Sequence, residues 1–146
     1  MRRGDKTEQV RRYVEEIWGD GKTDLLGDYL AEDCVLTDLY GDNVIRGLAG
    51  VKASIDQWRT MMASVQARVL HVIEDDAAVA WQWSLAGTWK DTAPVRRGGP
   101  AVNWPGGQDL VLAGITFSTF HQDRIVREET QADLRGLIEQ MGYELR

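Results

Sequence analysis

The sequence predicts an α+β fold: a cone-shaped barrel of a curved, mostly antiparallel sheet wrapped around three N-terminal helices, with a short C-terminal helix. Two observations carry this prediction. Apolar residues recur with a helical period through most of residues 10–62, and from residue 66 onward they alternate as in half-buried strands. Helices and strands that are segregated along a chain are typical of α+β proteins. The 146 residues are most simply one domain, 1–146.

The N-terminal half contains the three predicted helices. The first has an apolar stripe with the spacing i, i+3, i+4, i+7 and i+8, formed by Val10, Tyr13, Val14, Ile17 and Trp18. A second, short helix is expected from Thr23 to Leu30, and residues 34–40 and 44–46 are expected to pair as strands. The third helix follows Gly47 and has an apolar side that consists of Val51, Ile55, Trp58 and Met62.

The C-terminal half is predicted to be four strands and a helix. The strands are expected at residues 66–73, 77–89, 109–120 and 124–132, and the helix is expected to begin at Leu134. One face of the second of these strands carries Val79, Trp81, Trp83 and Leu85. Residues 90–108 contain all 3 prolines and no alternation, which predicts a long loop between strands.

Composition excludes several classes of function. The net charge of −6 argues against a nucleic-acid partner, which would require a basic face. No apolar run is long enough for a membrane span, and the first residues lack the apolar segment of a secretory signal. The single cysteine, Cys34, permits no intramolecular disulfide. We therefore expect a cytoplasmic protein with neither a membrane nor a nucleic-acid partner.

Metal and cofactor motifs are absent from the sequence. There is no HExxH motif or carboxylate cluster with ligand spacing, and His71 and His121 fall in unrelated elements. The glycine pairs 98–99 and 106–107 lie between predicted strands, without the helix start that a phosphate loop requires. The sequence thus predicts no metal and no cofactor.

Two segments resemble known families. Residues 10–38, with 47–51, resemble the N-terminal half of ketosteroid isomerases and their relatives in the nuclear-transport-factor-2-like superfamily. Residues 87–89 and 114–142 are similar to SnoaL-like polyketide cyclases. The positions that match the cyclase tail in register are Asp133, Gly136, Leu137, Gln140 and Gly142. This resemblance implies a cone-shaped barrel with a deep apolar pocket, usually in a homodimer.

The resemblance also suggests catalytic positions. Asp38 falls where the isomerase relatives keep their general base, and apolar neighbours would raise its pKa into the working range of such a group; otherwise it is a surface carboxylate or a turn cap. Tyr13 matches a tyrosine that donates to the developing oxyanion, although it could equally be a core tyrosine with a satisfied hydroxyl. Thr116 stands where the isomerases have a protonated aspartic acid, and threonine is a poor proton source. Steroid isomerisation is therefore not expected.

The last hairpin supplies further candidates. If Thr116 points inward, alternation predicts that Leu112, Gly114, Ser118 and Phe120 do so too. The same argument places Ile125, Arg127, Glu129, Gln131 and Asp133 on one face of the final strand. Glu129 replaces the usual tryptophan of the cyclases and is expected as a second pocket carboxylate, unless this face is exposed and Glu129 pairs with Arg127. Asp133 is expected either in the pocket or as the N-cap of the terminal helix.

The predicted function is a cofactor-free cyclase or isomerase of natural-product biosynthesis, such as antibiotic formation, acting on an apolar polyketide-like molecule. Catalysis would combine substrate folding with acid–base assistance from Asp38, Glu129, Asp133 and Tyr13. The residues expected to contact substrate are Trp18, Tyr40, Trp58, Trp81, Trp83, Leu112, Thr116 and Ser118. If the reaction is pericyclic, shape alone could be the catalyst.

Two alternatives remain at this stage. An epoxide hydrolase or epoxide-opening cyclase would use Asp38 and Glu129 as its acid and base. A non-catalytic small-molecule-binding domain would have both carboxylates exposed or ion-paired, with no apolar cavity beside them. A structure separates the enzymes from the binding domain: if Asp38 and Glu129 do not face a shared cavity, both enzymatic predictions lose their main support.

Overall fold

A computed structural model describes residues 4–37, 43–90 and 107–140. Helix α1, Asp5–Tyr13, continues directly into a π-helical segment, Val14–Gly19. A 3₁₀ helix covers Thr23–Asp28, and α2 covers Gly47–Thr60. The C-terminal helix, α3, covers Leu134–Gln140. Within the described ranges, no helix is both long enough and apolar enough to cross a membrane.

The strands form one sheet of 6 strands with the order β2-β1-β6-β5-β4-β3. Their bounds are β1 Leu30–Thr37, β2 Val44–Arg46, β3 Met62–Glu74, β4 Ala78–Trp89, β5 Asp109–His121 and β6 Arg124–Ala132. Only β1 and β6 pair in parallel; the other neighbours are antiparallel. The sheet is curved but unclosed, with β2 and β3 at its edges. This confirms the predicted α+β class.

The core lies between the helices and the inner face of this sheet. The buried apolar residues of the first helix pack into one cluster with inward residues of β4 and β5. As alternation predicted, Val79, Trp81, Trp83 and Leu85 of β4 are buried. On β5, Leu112, Thr116, Ser118 and Phe120 are buried as well.

The structure corrects the predicted second helix. That helix was expected to reach Leu30, but the 3₁₀ helix ends at Asp28 and Leu30 already pairs with Ile125 of β6. The backbone of Ile125 donates a hydrogen bond to the carbonyl oxygen of Tyr29 over 2.8 Å. Pairing with a distant strand thus overrides the local helical pattern of this short segment.

A β-bulge in the last hairpin corrects the predicted faces of β6. Ser118 pairs with Glu128 and Thr119 with Arg127, but Phe120 pairs with Ile125, so Val126 is an extra residue in β6. An extra residue shifts the alternation by one, and every side chain beyond it changes face. Ile125 is buried as expected, yet Glu128 rather than Glu129 is buried. The predicted common face of Ile125 and Glu129 is therefore wrong.

Candidate active site

A cavity of about 550 Å³ lies between α2, the π-helical segment and the inner face of the sheet. This volume falls within the range of small-molecule pockets. Four tryptophans form much of its wall: Trp18, Trp58, Trp81 and Trp83. Trp18 and Trp58 meet edge to face, with ring centroids 6.2 Å apart. Such walls favour a flat, largely apolar ligand.

Among the described residues, Glu128 is the one carboxylate at the wall of this cavity. It is only 5% exposed. The Tyr13 hydroxyl donates to its Oε1 over 3.0 Å, and the Ser118 hydroxyl donates to its Oε2 over 2.7 Å. Trp81 Nε1 in turn donates to Ser118 Oγ over 2.9 Å. Both carboxylate oxygens are therefore held in a fixed orientation by donors that are themselves buried.

Burial raises the pKa of Glu128 to about 6, because the charged form loses its hydration. The hydrogen bonds from Ser118 and Tyr13 oppose this rise by favouring the carboxylate. Burial, and then the negative charge of Glu128, raise the pKa of Tyr13 well above its usual value. Tyr13 thus stays protonated as a donor, while Glu128 titrates near neutral pH, where a group exchanges protons efficiently in both directions.

A second chain of hydrogen bonds lies beside Glu128. Trp83 Nε1 donates to Thr116 Oγ1 over 2.9 Å, and Thr116 Oγ1 lies 2.8 Å from Thr130 Oγ1. The backbone N–H of Thr130 donates to Thr37 Oγ1 over 2.8 Å. The three threonines, Thr37, Thr116 and Thr130, all line the cavity.

A family model described as SnoaL-like polyketide cyclase matches residues 8–141. The chain belongs to the SnoaL-like polyketide cyclase family. No curated protein matches the sequence significantly.

Several solved structures have the same fold as this chain. TsrD from Streptomyces laurentii has a TM-score of 0.79 and 16% identity, over 97% of this chain and 98% of that one. A SnoaL-like polyketide cyclase from Agrobacterium tumefaciens has a TM-score of 0.73 and 17% identity, over 93% and 97%. An LEH-like epoxide hydrolase from M. tuberculosis has a TM-score of 0.67 and 13% identity, over 94% and 89%. At these identities the likeness establishes the fold.

In this SnoaL-like protein, several residues expected to contact substrate lie at the cavity wall. They are Trp18, Trp58, Trp81, Trp83 and Thr116. Leu112 belongs to the buried core, and Ser118 is buried behind the wall, where it holds Glu128. Tyr13 is likewise buried behind Glu128, so its hydroxyl serves the carboxylate. Asp38 and Tyr40 lie outside the described residues.

Two carboxylates that were expected in the pocket, Glu129 and Asp133, lie elsewhere in this SnoaL-like chain. The Glu129 side chain is 52% exposed, and its Oε1 lies 2.7 Å from Nε of Arg127. Its expected inward orientation is wrong because of the bulge at Val126. Asp133 is also exposed, and its Oδ1 accepts from the backbone N–H of Gly136 over 2.9 Å. Asp133 is therefore the N-cap of α3 rather than a cavity residue.

Sequence reasoning missed Glu128, although one signal pointed to it. Tyr13 and Ser118 were both expected inside, and two buried hydroxyl donors require an acceptor. Glu128 is directly opposite Ser118 on β6. Among the described residues, no group of three His, Cys, Asp or Glu side chains is arranged to hold a metal ion.

Proposed function

We propose that this SnoaL-like protein is a cofactor-free cyclase or isomerase that folds an apolar, polyketide-like molecule and uses Glu128 as its acid–base group. One observation carries this proposal: a buried carboxylate, oriented by Tyr13 and Ser118, lines a tryptophan-walled cavity. The cavity provides orientation, which accounts for much of the acceleration of intramolecular reactions. Glu128 provides the proton transfers.

The reaction that fits this arrangement is an aldol-type ring closure. Glu128, as carboxylate, removes a proton from a carbon next to a ketone of the substrate. The enolate carbon then attacks a second carbonyl of the same molecule, and a carbon–carbon bond forms while the C=O π bond opens to an alkoxide. The alkoxide takes the proton back from Glu128, so the group returns to its starting state without any co-reactant.

Among the described residues of the cavity there is a single acid–base group, which favours this reaction over epoxide opening. Epoxide opening requires an acid together with a base, and Glu128 is the only carboxylate among the described residues that line the cavity. The binding-domain alternative correctly predicted that Glu129 is ion-paired and does not line the cavity, so the enzymatic proposal rests instead on Glu128, which does line it. Asp38 lies outside the described residues and stays a predicted second base on the family resemblance. Loss of ring closure in Asp38→Asn would support that role, and unchanged ring closure would leave Glu128 as the acid–base group.

A panel of linear aromatic polyketones and monoterpene epoxides distinguishes these functions. Aldol closure leaves the mass of the substrate unchanged, whereas epoxide hydrolysis adds one water, so mass spectrometry separates the two. We expect ring-closed isomers of the polyketones. Hydration of the epoxides alone would contradict the proposal, and binding without conversion of any compound would identify a binding domain.

Tyr13→Phe is expected to move the pH profile rather than simply to lower activity. Removing the Tyr13 hydroxyl takes away a hydrogen bond that lowers the pKa of Glu128. The rise of kcat/KM with pH should then occur at higher pH than in the wild type, with near-normal rates well above it. Tyr29→Phe is the matched control, because Tyr29 packs against Tyr13 at 5.6 Å but donates its hydrogen bond to Glu16. An equal loss at every pH would instead indicate direct stabilisation of an oxyanion.

We also propose that the protein is a homodimer through the outer face of the sheet. That face exposes an apolar stripe that consists of Ile73, Val111, Ile115 and Phe117. Large exposed apolar patches are typical of association surfaces, and the family resemblance implies a second copy of this chain. Ile73 and Phe117 both pair with Ala80, so the stripe spans neighbouring strands.

Phe117→Glu is expected to convert the dimer to a monomer, because it introduces charge at the centre of an apolar contact. Sedimentation velocity provides the readout. Leu25→Glu, an exposed apolar position on the 3₁₀ helix, is the control and should leave the dimer intact. A wild-type monomer, or a dimer unaffected by Phe117→Glu, would refute this interface.

A further inference from the structure

The direction of the hydrogen bond between Thr116 and Thr130 can be inferred from the burial of the two residues. Thr116 is only 3% exposed, and its Oγ1 accepts the indole N–H of Trp83. Its own hydrogen therefore needs another acceptor. Among the described residues, the only other hydrogen-bond partner of Thr116 Oγ1 is Thr130 Oγ1, 2.8 Å away. Either hydroxyl could donate in this pair, and we assign Thr116 as the donor because Thr130 is the more exposed of the two and can turn its hydrogen toward the cavity.

The hydroxyl of Thr130 is consequently available as a donor. Its oxygen accepts from Thr116, while its hydrogen has no acceptor among residues 4–37, 43–90 and 107–140. Thr130 lines the cavity. The relay from Trp83 through Thr116 to Thr130 therefore ends in a donor at the cavity wall, and each bond in such a chain polarises the next.

Thr37 is in the same situation on the neighbouring strand. Its oxygen accepts the backbone N–H of Thr130, which leaves its hydrogen without an acceptor in the described part of the chain. Thr37 also lines the cavity. Glu128 of β6 pairs with Leu36 of β1. Thr37 directly follows Leu36, and Thr130 is two residues after Glu128, so both hydroxyls are close in sequence to this pair.

We propose that Thr37 and Thr130 form a two-hydroxyl donor site for one carbonyl oxygen of the substrate, next to Glu128. This inference rests on the proposed function and defines its substrate class further: a ketone seated with its oxygen on β1 and β6. Donors placed there bind the ground-state carbonyl and bind more strongly the negative charge that develops when Glu128 removes the adjacent proton. They also determine which carbon loses that proton, because the ketone oxygen fixes the position of its neighbours.

A matched pair of rigid ligands, 9-fluorenone and fluorene, tests the donor site without the natural substrate. The two differ by one carbonyl oxygen, and equilibrium dialysis measures the affinity of each. We expect the wild type to prefer fluorenone. Thr130→Val and Thr37→Val should each weaken fluorenone binding about fivefold, the scale of one net hydrogen bond, and leave fluorene within about twofold. Thr130→Ser, which restores a hydroxyl, should restore the preference.

Thr88→Val is the control for the chemical change, since the Thr88 hydroxyl bonds to Asp109 outside the cavity. Absence of a fluorenone preference in the wild type, or an equal loss of both ligands in the two valine variants, overturns the donor site. Glu128→Gln separates this result from the proposed function, because it should strongly slow ring closure but retain the fluorenone preference. A preference for fluorenone without turnover of any polyketone would contradict only the proposed reaction. Turnover without a preference for fluorenone would contradict only the donor site.

Discussion

Replacing Glu128 by glutamine is expected to lower kcat for ring closure by a factor of about 10² to 10⁴, the usual contribution of a positioned acid–base group. Glutamine has the shape of glutamate and keeps an oxygen for Ser118 or Tyr13, but it neither removes nor returns a proton at neutral pH. The rate measurement uses whichever polyketone the panel identifies.

Glu129→Gln is the matched control for this loss. The neighbouring glutamate is exposed and ion-paired with Arg127 on the outer face, so its neutralisation should leave turnover unchanged. Undiminished turnover in Glu128→Gln would mean that the shape of the cavity alone is the catalyst, as in a pericyclic closure. Loss of turnover in both variants would contradict the assigned faces of β6.

The same substitution should stabilise the protein at alkaline pH. Burial raises the pKa of Glu128 from 4.5 to about 6, so the folded state disfavours the carboxylate. The wild type therefore loses stability as the pH rises from about 4.5 through 6, and the loss is complete above that range. Its size is on the order of 2 kcal/mol. Urea unfolding should show equal stabilities at pH 4 and a more stable Glu128→Gln at pH 8; a variant that is less stable at both would contradict the account.

Gly114→Ala is expected to destabilise the protein by about 1–3 kcal/mol, as overpacked cores do, and to deform the cavity. A Cβ at Gly114 would lie 2.4 Å from Cζ2 of Trp83 and 2.7 Å from the carbonyl oxygen of Gln131. Both contacts are too short, so the indole and the backbone of β5 or β6 must both shift. Trp83 would then leave its hydrogen bond to Thr116, and the wall of the cavity would change shape.

Gly27→Ala is the control for this substitution. A Cβ there would meet only Cδ1 of Leu48 at 3.6 Å, an ordinary contact. Thermal unfolding and fluorenone binding should both change for Gly114→Ala and neither for Gly27→Ala. If Gly114→Ala has the stability and fluorenone binding of the wild type, the position of Trp83 does not depend on glycine at position 114, and the prediction is wrong.

Alternation in the sequence was sufficient to predict the inner faces of β4 and β5. It correctly placed Trp81, Trp83, Thr116 and Ser118 toward the interior, because both strands run without an irregularity where they pair with each other. Such patterns depend only on the period of two in an extended chain. The tryptophan walls of the cavity could therefore be anticipated from the sequence.

The identity of the buried carboxylate could not be anticipated in this way. Because Val126 is an extra residue in β6, Glu128 rather than Glu129 faces the interior. No local pattern in residues 124–132 indicates where the bulge lies. The partners of Tyr13 are similarly distant, since Glu128 is separated from it by 115 positions. Contacts of this kind are set by strand register and tertiary packing, which a one-dimensional pattern does not contain.

The most direct test of the account is the titration of Glu128 itself, which requires no substrate. In protein labelled with ¹³C at the glutamate side-chain carboxyl carbons, the signal absent from Glu128→Gln identifies the residue. The account predicts that this carboxyl titrates with a pKa of about 6, above the ordinary glutamate range. A value at or below 4.5 would mean that hydration or the hydrogen bonds from Ser118 and Tyr13 outweigh burial, and would contradict the assignment of Glu128 as a group that titrates in the working pH range.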